Sequence, residues 1–428
     1  MNISQLKSAV LCGEADGALM PLYRGQSTES VRARVLSLIE TYIQSIGADA
    51  REVVVISVPG RSELSGNHTD HNHGCVIAAS IDLDVLVIAA AREDHVIRLH
   101  SEGFADETVT LSPLPTPADV AAGTSGALIA GMADGFAAMG YAYRGFDAVM
   151  TSQVLRGSGL SSSAAYEVAV GSIFNYLYCG GSVDAVTIAK LSQRAENVFF
   201  GKPCGLMDQT ACAVGGMVAI DLADPKEPVV EPISFDMTGA GYALCIVDTG
   251  GNHADLTADY ASVPAEMKSV AGVFRKSVLR EVDEDAFMAR LAELRERVGD
   301  RAVLRALHFF EENRRVSAQA EALRAGELSA YFANVLASGR SSFCYLQNVY
   351  TTVNVAEQGL SLALCLAERM LAGEKAAWRV HGGGFAGTIQ AYVPLSRVAE
   401  FRAVMDAAFG EGACLELYIR GVGAVRVL

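Results

Sequence analysis

The sequence predicts an α+β chain of two domains, and three observations lead there. Its 428 residues exceed the roughly 100 to 200 usual for one domain. Apolar strand-like runs gather in the first half and at the C-terminus, while the stretch from residue 280 to 372 reads mainly as helix. Runs segregated in this way favour α+β over a doubly wound parallel sheet, which would alternate them. The expected division is 1–215 and 216–428, and with 51% hydrophobic residues the chain can bury a sizeable core.

The elements follow in order. Glu29 to Ile46 sets Val31, Val35, Leu36, Leu38, Ile39 and Ile43 at helical spacing, with Gly47 as a stop, so an amphipathic helix is expected to open the fold. Val53 to Val58 reads as a buried strand broken by Pro59-Gly60, and Val85 to Ala91 as a second strand. Pro113, Pro115 and Pro117 mark a surface loop before helical periodicity returns from Gly126 to Met139. Val149 to Leu155 is strand-like. Ala164 to Leu177 is apolar nearly all round, which predicts a helix buried between layers, and Lys190 to Phe200 gives another. Strands are expected at Met217 to Leu222 and Tyr242 to Val247, separated by the polar stretch Ala223 to Pro232. Helices follow at Arg280 to Val298, Arg301 to Ala325, Leu328 to Ala337 and Gly359 to Ala372, then closing strands at Thr388 to Val393 and Cys414 to Arg420.

Charge narrows the partners. With 34 Lys and Arg against 49 Asp and Glu, the net charge of -15 repels phosphate backbones and anionic lipid, so neither nucleic acid nor membrane is an expected partner. No run approaches the ~20 apolar residues that span a bilayer, and the first residues lack a secretory pattern. The nine cysteines form no CxxC pair and are odd in number, which speaks against zinc and against a disulfide framework. A cytoplasmic protein, monomeric or weakly dimeric, is the expectation.

Three segments carry chemistry. The first in informativeness is Gly157-Ser158-Gly159-Leu160-Ser161-Ser162-Ser163-Ala164-Ala165, a glycine and serine loop running from a strand into a strong helix. Glycines let N–H groups converge, the helix start adds its positive end, and hydroxyls hold phosphate oxygens or magnesium, so an anion site is predicted. The bland alternative is a turn with a serine cap. No GxxxxGK[ST] is present, so nucleotide bound here would not be bound by a P-loop. The second segment runs from Pro59 to Gly74 and is dense in polar side chains, which suits a polyhydroxylated ligand. His68, His71 and His73 also allow a metal reading, although their spacing lacks the one-face pattern of HExxH. The third, Arg379-Val380-His381-Gly382-Gly383-Gly384-Phe385-Ala386-Gly387-Thr388, lets backbone approach a ligand or another loop closely, and alone reads equally well as a tight turn.

Taken in order, these segments resemble the three signature motifs of the GHMP kinases, and the Pro59 to Gly74 segment is similar to the galactokinase signature around Gly-Glu-His-Thr-Asp-Tyr-Asn. The likeness continues through Ala195-Glu196-Asn197-Val198-Phe199-Phe200-Gly201, Cys204-Gly205-Leu206-Met207-Asp208-Gln209, and a Val247-Asp248-Thr249 strand end followed by Tyr260. The resemblance implies a two-domain GHMP kinase fold, with a ribosomal protein S5 domain 2-like N-terminal domain and a ferredoxin-like C-terminal domain. It implies ATP-dependent transfer of the γ-phosphate to the anomeric C1 hydroxyl of a hexose, with ATP and Mg²⁺ as cofactors.

Residue by residue, the resemblance makes Asp208 the catalytic aspartate and Arg61 its basic partner. It places Gly157, Ser158, Gly159, Ser161, Ser162 and Ser163 around the phosphates, Ser163 and Glu196 on the metal, and Gly382, Gly383 and Gly384 in the third motif. Asn67, His68, Asp70, the backbone of Gly205, and Tyr260 fall at the sugar positions. The chain also departs from the pattern. Asn67 stands for the glutamate that contacts the distal hydroxymethyl group, Glu63 for an asparagine, His71 for a tyrosine, His381 and Thr388 for threonine and cysteine, and Val263 for an arginine. A carboxamide at 67 removes a negative charge and adds a donor, so a galacturonokinase, or a 1-kinase of another modified sugar, stands as an alternative. A non-catalytic sugar sensor is the alternative of another class.

Overall fold

The computed structural model describes residues 1–154, 159–202, 204–251 and 256–428. Among the described residues twelve strands form two sheets: β1 (Val53–Ser65), β2 (Cys75–Ala91), β3 (Val96–Ser101), β4 (Glu107–Thr110), β5 (Phe146–Ser152), β6 (Met217–Asp221), β7 (Val229–Ile233), β8 (Tyr242–Asp248), β9 (Ala377–His381), β10 (Thr388–Pro394), β11 (Cys414–Leu417) and β12 (Val425–Arg426). The first sheet runs β12-β1-β2-β5-β3-β4, with β6 also pairing β2 and carrying β7. All its pairings are antiparallel except β3 with β5.

β1 and β2 are buried along almost their whole length because both faces of the sheet are covered. Val54, Ile56, Val58, Val85, Val87 and Ala89 point into one core with the helices Ser125–Ala138, Ser162–Tyr178 and Met207–Val214. The alternate residues Val53, Val55, Leu86, Ile88 and Ala90 pack under Ile3–Cys12 and Thr28–Ser45 on the opposite face. The second sheet is antiparallel, β11-β8-β10-β9. Helices Gly359–Leu371 and Val398–Phe409 cover one face. Its other face, with Leu244, Ile246 and Tyr392, shares a core with Leu64, Ile77, Ile81 and Met217 of the first sheet. The long helix Asp300–Ala325 and its neighbour Leu328–Ser341 help to fill that shared core. The two sheets are thereby welded by apolar burial, and the cleft that concerns function opens beside the weld. No helix among the described residues is long and apolar enough to cross a membrane.

Several elements differ from the sequence reading for physical reasons. Pro59-Gly60 does not break β1; the ladder to β2 absorbs it as a register shift between Pro59 and Arg61, and a second shift lies between Glu63 and Ser65. The polar residues Arg61 to Ser65 therefore belong to the strand. β2 reaches back to Cys75 because its first half pairs β6 and its second half β5. The helix expected over 280–298 is two, Glu284–Ala289 and Leu291–Val298, parted at Arg290 with φ of -113°. The one expected over 190–200 is Ala185–Arg194 followed by a wider π turn, Ala195–Phe200. The separator at 223–232 contains most of β7. Ile3–Cys12 precedes the helix expected to open the fold, and Thr257–Val273, whose interior Pro264 weakens a helical reading, also went unpredicted. A division at residue 215 would cut the first sheet, since β6, β7 and β12 join it from beyond that point.

Candidate active site

The two register shifts in β1 flank Arg61, Ser62 and Glu63 and set how these polar side chains leave the strand. Arg61 meets Asp208, which sits in the first turn of Met207–Val214, where the helix dipole favours an anion. The contact is a two-pronged fork: Arg61 Nε donates to Asp208 Oδ1 at 2.7 Å and Nη2 to Oδ2 at 2.8 Å. Ser161 Oγ donates to Oδ2 as well. The Arg61 side chain is 8% exposed and Asp208 33%, so the carboxylate is the member of the pair that a ligand can reach. Burial pushes the Asp208 carboxyl up, but the Arg61 guanidinium and the Ser161 hydroxyl outweigh it and hold the group below the usual carboxylate range. Asp208 is thus ionised at neutral pH and able to accept a proton.

Arg61 also ties the strand to the serine loop. Its N–H donates to Leu160 O at 3.1 Å and its Nη1 to Gly159 O. This approach demands a glycine at position 60, where a Cβ would come within 2.9 Å of Leu160 O. Ser161 adopts the left-handed region, φ 60°, and Ser162–Tyr178 then starts at the cleft with Ser163 on its lining. Gly157 and Ser158 lie outside the described residues. The same cleft is lined by Glu196 and Lys202, whose Nζ is 3.3 Å from Glu196 Oε1. Gln209 Nε2 donates to Glu196 Oε2 at 3.0 Å and to buried Glu167 at 3.2 Å. Burial and the neighbouring Glu196 push Glu167 well above the usual carboxylate range. One hydroxyl and one carboxylate lining the same cleft offer hard oxygens of the kind that, completed by phosphate and water oxygens, suit magnesium. Glu196 and Ser163 therefore fit the ion.

The remaining lining comes from Glu63, His68, Asp70, His71, Cys204, Gly205, Met207, Tyr260, Gly382 and Gly383. A Cβ on Gly205 would lie 2.1 Å from Asp70 Oδ2, so only glycine lets the loop before Asp208 close on Asp70. His68 donates from Nε2 to Gly383 O at 2.8 Å, and burial lowers its pKa to about 3, so the ring is neutral. Tyr260 stands against His68 with ring centroids 5.3 Å apart, and its hydroxyl is 3.4 Å from His71 Nε2. The third motif is thus a wall of the same cleft: Gly382 and Gly383 line it, while Gly384 packs on Asn348.

Asn67 is placed differently from the other sugar candidates. It is 0% exposed and its amide is occupied by protein: Nδ2 donates to Gly382 O and Glu63 Oε1, and Oδ1 accepts from Asn348 and Ser342. It braces the first motif against the third. His308 and Glu312 of Asp300–Ala325 add to this bracing, His308 through Asn67 O at 2.9 Å and Glu312 through the Gly66 N–H at 3.3 Å. His381 and Thr388 form another brace. Ser62 Oγ and the Glu63 N–H point at His381 Nε2, at 3.1 and 3.3 Å, leaving Nδ1–H to donate to Thr388 Oγ1 at 2.9 Å. Burial keeps that imidazole well below its usual pKa, and the neutral form suits a ring that accepts at one nitrogen and donates from the other.

Sequence reasoning did not single out Lys202, Gln209, Glu167, Arg379, Asn348, His308 or Glu312. Gln209 and Arg379 stand inside quoted motifs and Lys202 directly follows one, which was a signal; Glu167, Asn348 and His308 have none, because their partners are tens to hundreds of residues away. Among the described residues, no group of three or more His, Cys, Asp or Glu is arranged to hold a metal ion.

Known proteins match the chain in sequence and in fold. Residues 123–216 match the GHMP kinases N terminal domain, and residues 40–91 the galactokinase galactose-binding signature. A galactokinase of Streptomyces coelicolor is 33% identical over 367 residues, covering 84% of this chain and 89% of its own. The structure of Lactococcus lactis galactokinase complexed with galactose superposes with a TM-score of 0.78 at 25% identity, over 92% of this chain and 100% of that one. Methanococcus jannaschii mevalonate kinase shares the fold, with a TM-score of 0.60 at 13% identity over 86% and 98%. With its Arg61–Asp208 fork set between a serine loop and a polar cleft, this chain is an ATP-dependent sugar kinase and belongs to the galactokinase family of the GHMP kinases.

Proposed function

We propose that the enzyme transfers the γ-phosphate of ATP to the anomeric C1 hydroxyl of a neutral hexose, with galactose the first candidate. The observation that carries this reading is the Asp208 carboxylate, held ionised by Arg61 and reachable from a cleft that Ser163 and Glu196 line together with His68, Asp70 and Tyr260. The L. lactis galactokinase that superposes on the chain holds galactose, and the matched signature is a galactose-binding one, which supports the choice of sugar.

In this reading Asp208 orients the acceptor hydroxyl and takes its proton as the bond to phosphorus forms. Phosphoryl transfer has a loose transition state, so a carboxylate of low pKa suffices, since the proton moves late. Arg61 holds Asp208 in line and adds positive charge beside the transferring group. Ser161 steadies the same carboxylate, and Ser163 with Glu196 would hold Mg²⁺, which neutralises charge on the β- and γ-phosphates when bound. Gln209 and Lys202 keep Glu196 turned to that role.

The cleft lining holds four carboxylates, Glu63, Asp70, Glu196 and Asp208, against the cations Arg61 and Lys202. That balance supports a neutral sugar over a uronic acid, and with Asn67 facing protein, the donor that favoured an acid is already engaged. The sensor alternative draws no support from a site in which Asp208, Arg61 and Ser163 are all in place. The test is sugar-dependent ADP release across a panel of hexoses and uronic acids, followed by mild acid treatment of the product. An acid-labile phosphate identifies a C1 ester; an acid-stable one assigns transfer to another hydroxyl and overturns the proposal.

A further inference from the structure

Glu63 is a buried carboxylate on the sugar side of the cleft, 4% exposed, yet it contributes to the lining. Both hydrogen bonds reaching its carboxylate end on Oε1, one from Asn67 Nδ2 at 3.2 Å and one from Arg379 Nη2. Oε2 receives none among the described residues. Arg379, itself buried, also donates from Nε to Val380 O and from Nη1 to Leu64 O, which holds its guanidinium behind Glu63. A carboxylate oxygen on the cleft lining that no protein group donates to is open to a donor that a ligand supplies. Relative to the galactokinase signature, the carboxylate and carboxamide of positions 67 and 63 have exchanged places, and in this structure position 63, not 67, lines the cleft.

We propose that Glu63 determines sugar specificity, its Oε2 accepting a hydrogen bond from one hydroxyl of the hexose. Arg379 cancels the charge of Glu63 from behind, so the site selects a neutral hydroxyl donor. A carboxylate substituent in that position would bring a second acid group against the Glu63 carboxyl, which burial already pushes up against the pull of Arg379, and Asp70 nearby adds to the repulsion. This inference rests on the sugar-kinase reading above and adds the residue that selects the sugar, which must carry a hydroxyl where Glu63 reaches.

The experiment measures kcat/KM of the wild-type enzyme for the accepted hexose, each of its monodeoxy analogues and the matching uronic acid. The same panel is then run on Glu63→Gln and on the double variant Glu63→Gln/Arg379→Met, which leaves no unpaired buried charge if the first fails to fold. A site built around a hydroxyl rejects the analogue lacking it, so one deoxy sugar should lose about 10- to 100-fold in the wild type, mostly in KM. That loss should shrink to about threefold or less in the variant, while penalties at the other positions stay unchanged. The uronic acid should be disfavoured by at least about 100-fold. Deoxy penalties that are uniform in the wild type, or identical in wild type and variant, overturn the role of Glu63 while leaving the kinase reading intact; so does a uronic acid used as well as its parent. Absence of turnover with every hexose removes both together.

Discussion

Replacing Asp208 by Asn separates the chemistry from the scaffold. The asparagine keeps one oxygen for Arg61 or Ser161, but its amide group turns a donor toward one of them, so one of the two Arg61 bonds at 2.7 and 2.8 Å is lost together with the charge that drew it. Losing a hydrogen bond to a charged partner costs about 1.5–3 kcal/mol, and the 33% exposure of Asp208 lets water moderate the lower part of that range. A folded protein with roughly 5–15 kcal/mol of stability survives such a loss, so the variant should fold with a lowered melting temperature. Turnover loses its proton acceptor, an effect of about 10²- to 10⁴-fold, or about 2.7–5.4 kcal/mol in the barrier at 1.36 per decade. Coupled ADP release gives kcat, and calorimetry gives the sugar Kd, which should move by less than about fivefold because His68, Asp70 and Tyr260 are untouched. A kcat within threefold of wild type in a folded variant would refute the role assigned to Asp208; a Kd weakened as much as kcat falls would show that Asp208 binds rather than reacts.

Other consequences are as direct. Gly205→Ala places a methyl 2.1 Å from Asp70 Oδ2, so the loop and Asp70 must separate; KM for the sugar should rise by about tenfold or more, and an unchanged KM refutes the close approach. Glu196→Gln should raise the Mg²⁺ concentration giving half-maximal rate by about tenfold, read from a magnesium titration at saturating ATP. Arg379→Met alone leaves Glu63 charged and buried without its partner, a loss of about 3–5 kcal/mol visible in denaturant unfolding. The double change with Glu63→Gln should recover much of that loss. Stability should also fall in acid through Glu312. Burial opposes its charge, but His308, Arg315 and the Ser338 hydroxyl hold it down to about 2, against an ordinary 4.5. A depressed carboxyl stabilises the fold fully above its unfolded value, so this contribution, on the order of 3 kcal/mol, is present above about pH 4.5 and disappears as pH falls toward 2. Glu312→Gln should flatten that acid limb in chemical denaturation; an identical acid limb in the variant contradicts the assignment.

Much of the architecture could be read from local pattern. Ser162–Tyr178 and Asp300–Ala325 were legible because helix formation is a matter of side-chain periodicity over consecutive residues, and β8 and β10 because apolar runs between turn residues have few alternatives. Where pairing partners are distant the pattern misleads. The Pro59-Gly60 pair is a break by local rules, yet β2 accommodates it with a register shift, and β12 is two residues that become a strand only because β1 offers an open edge. The chemical cast was equally local: Arg61, Ser163, Glu196 and Asp208 stand in motifs whose order along the chain carries the family resemblance, and each lines the cleft.

What the sequence determined by itself was which reactive groups the chain possesses and the class of reaction they serve, because residue type and spacing are properties of the chain. Only the tertiary structure decided which way those groups face. Asn67 and Glu63 lie four residues apart, and the first is consumed by Gly382, Asn348 and Ser342 while the second lines the cleft. Partners hundreds of residues away compete for each hydrogen-bonding atom. A polar side chain faces a substrate only where that competition leaves it a free lone pair or proton, and this outcome is settled by packing.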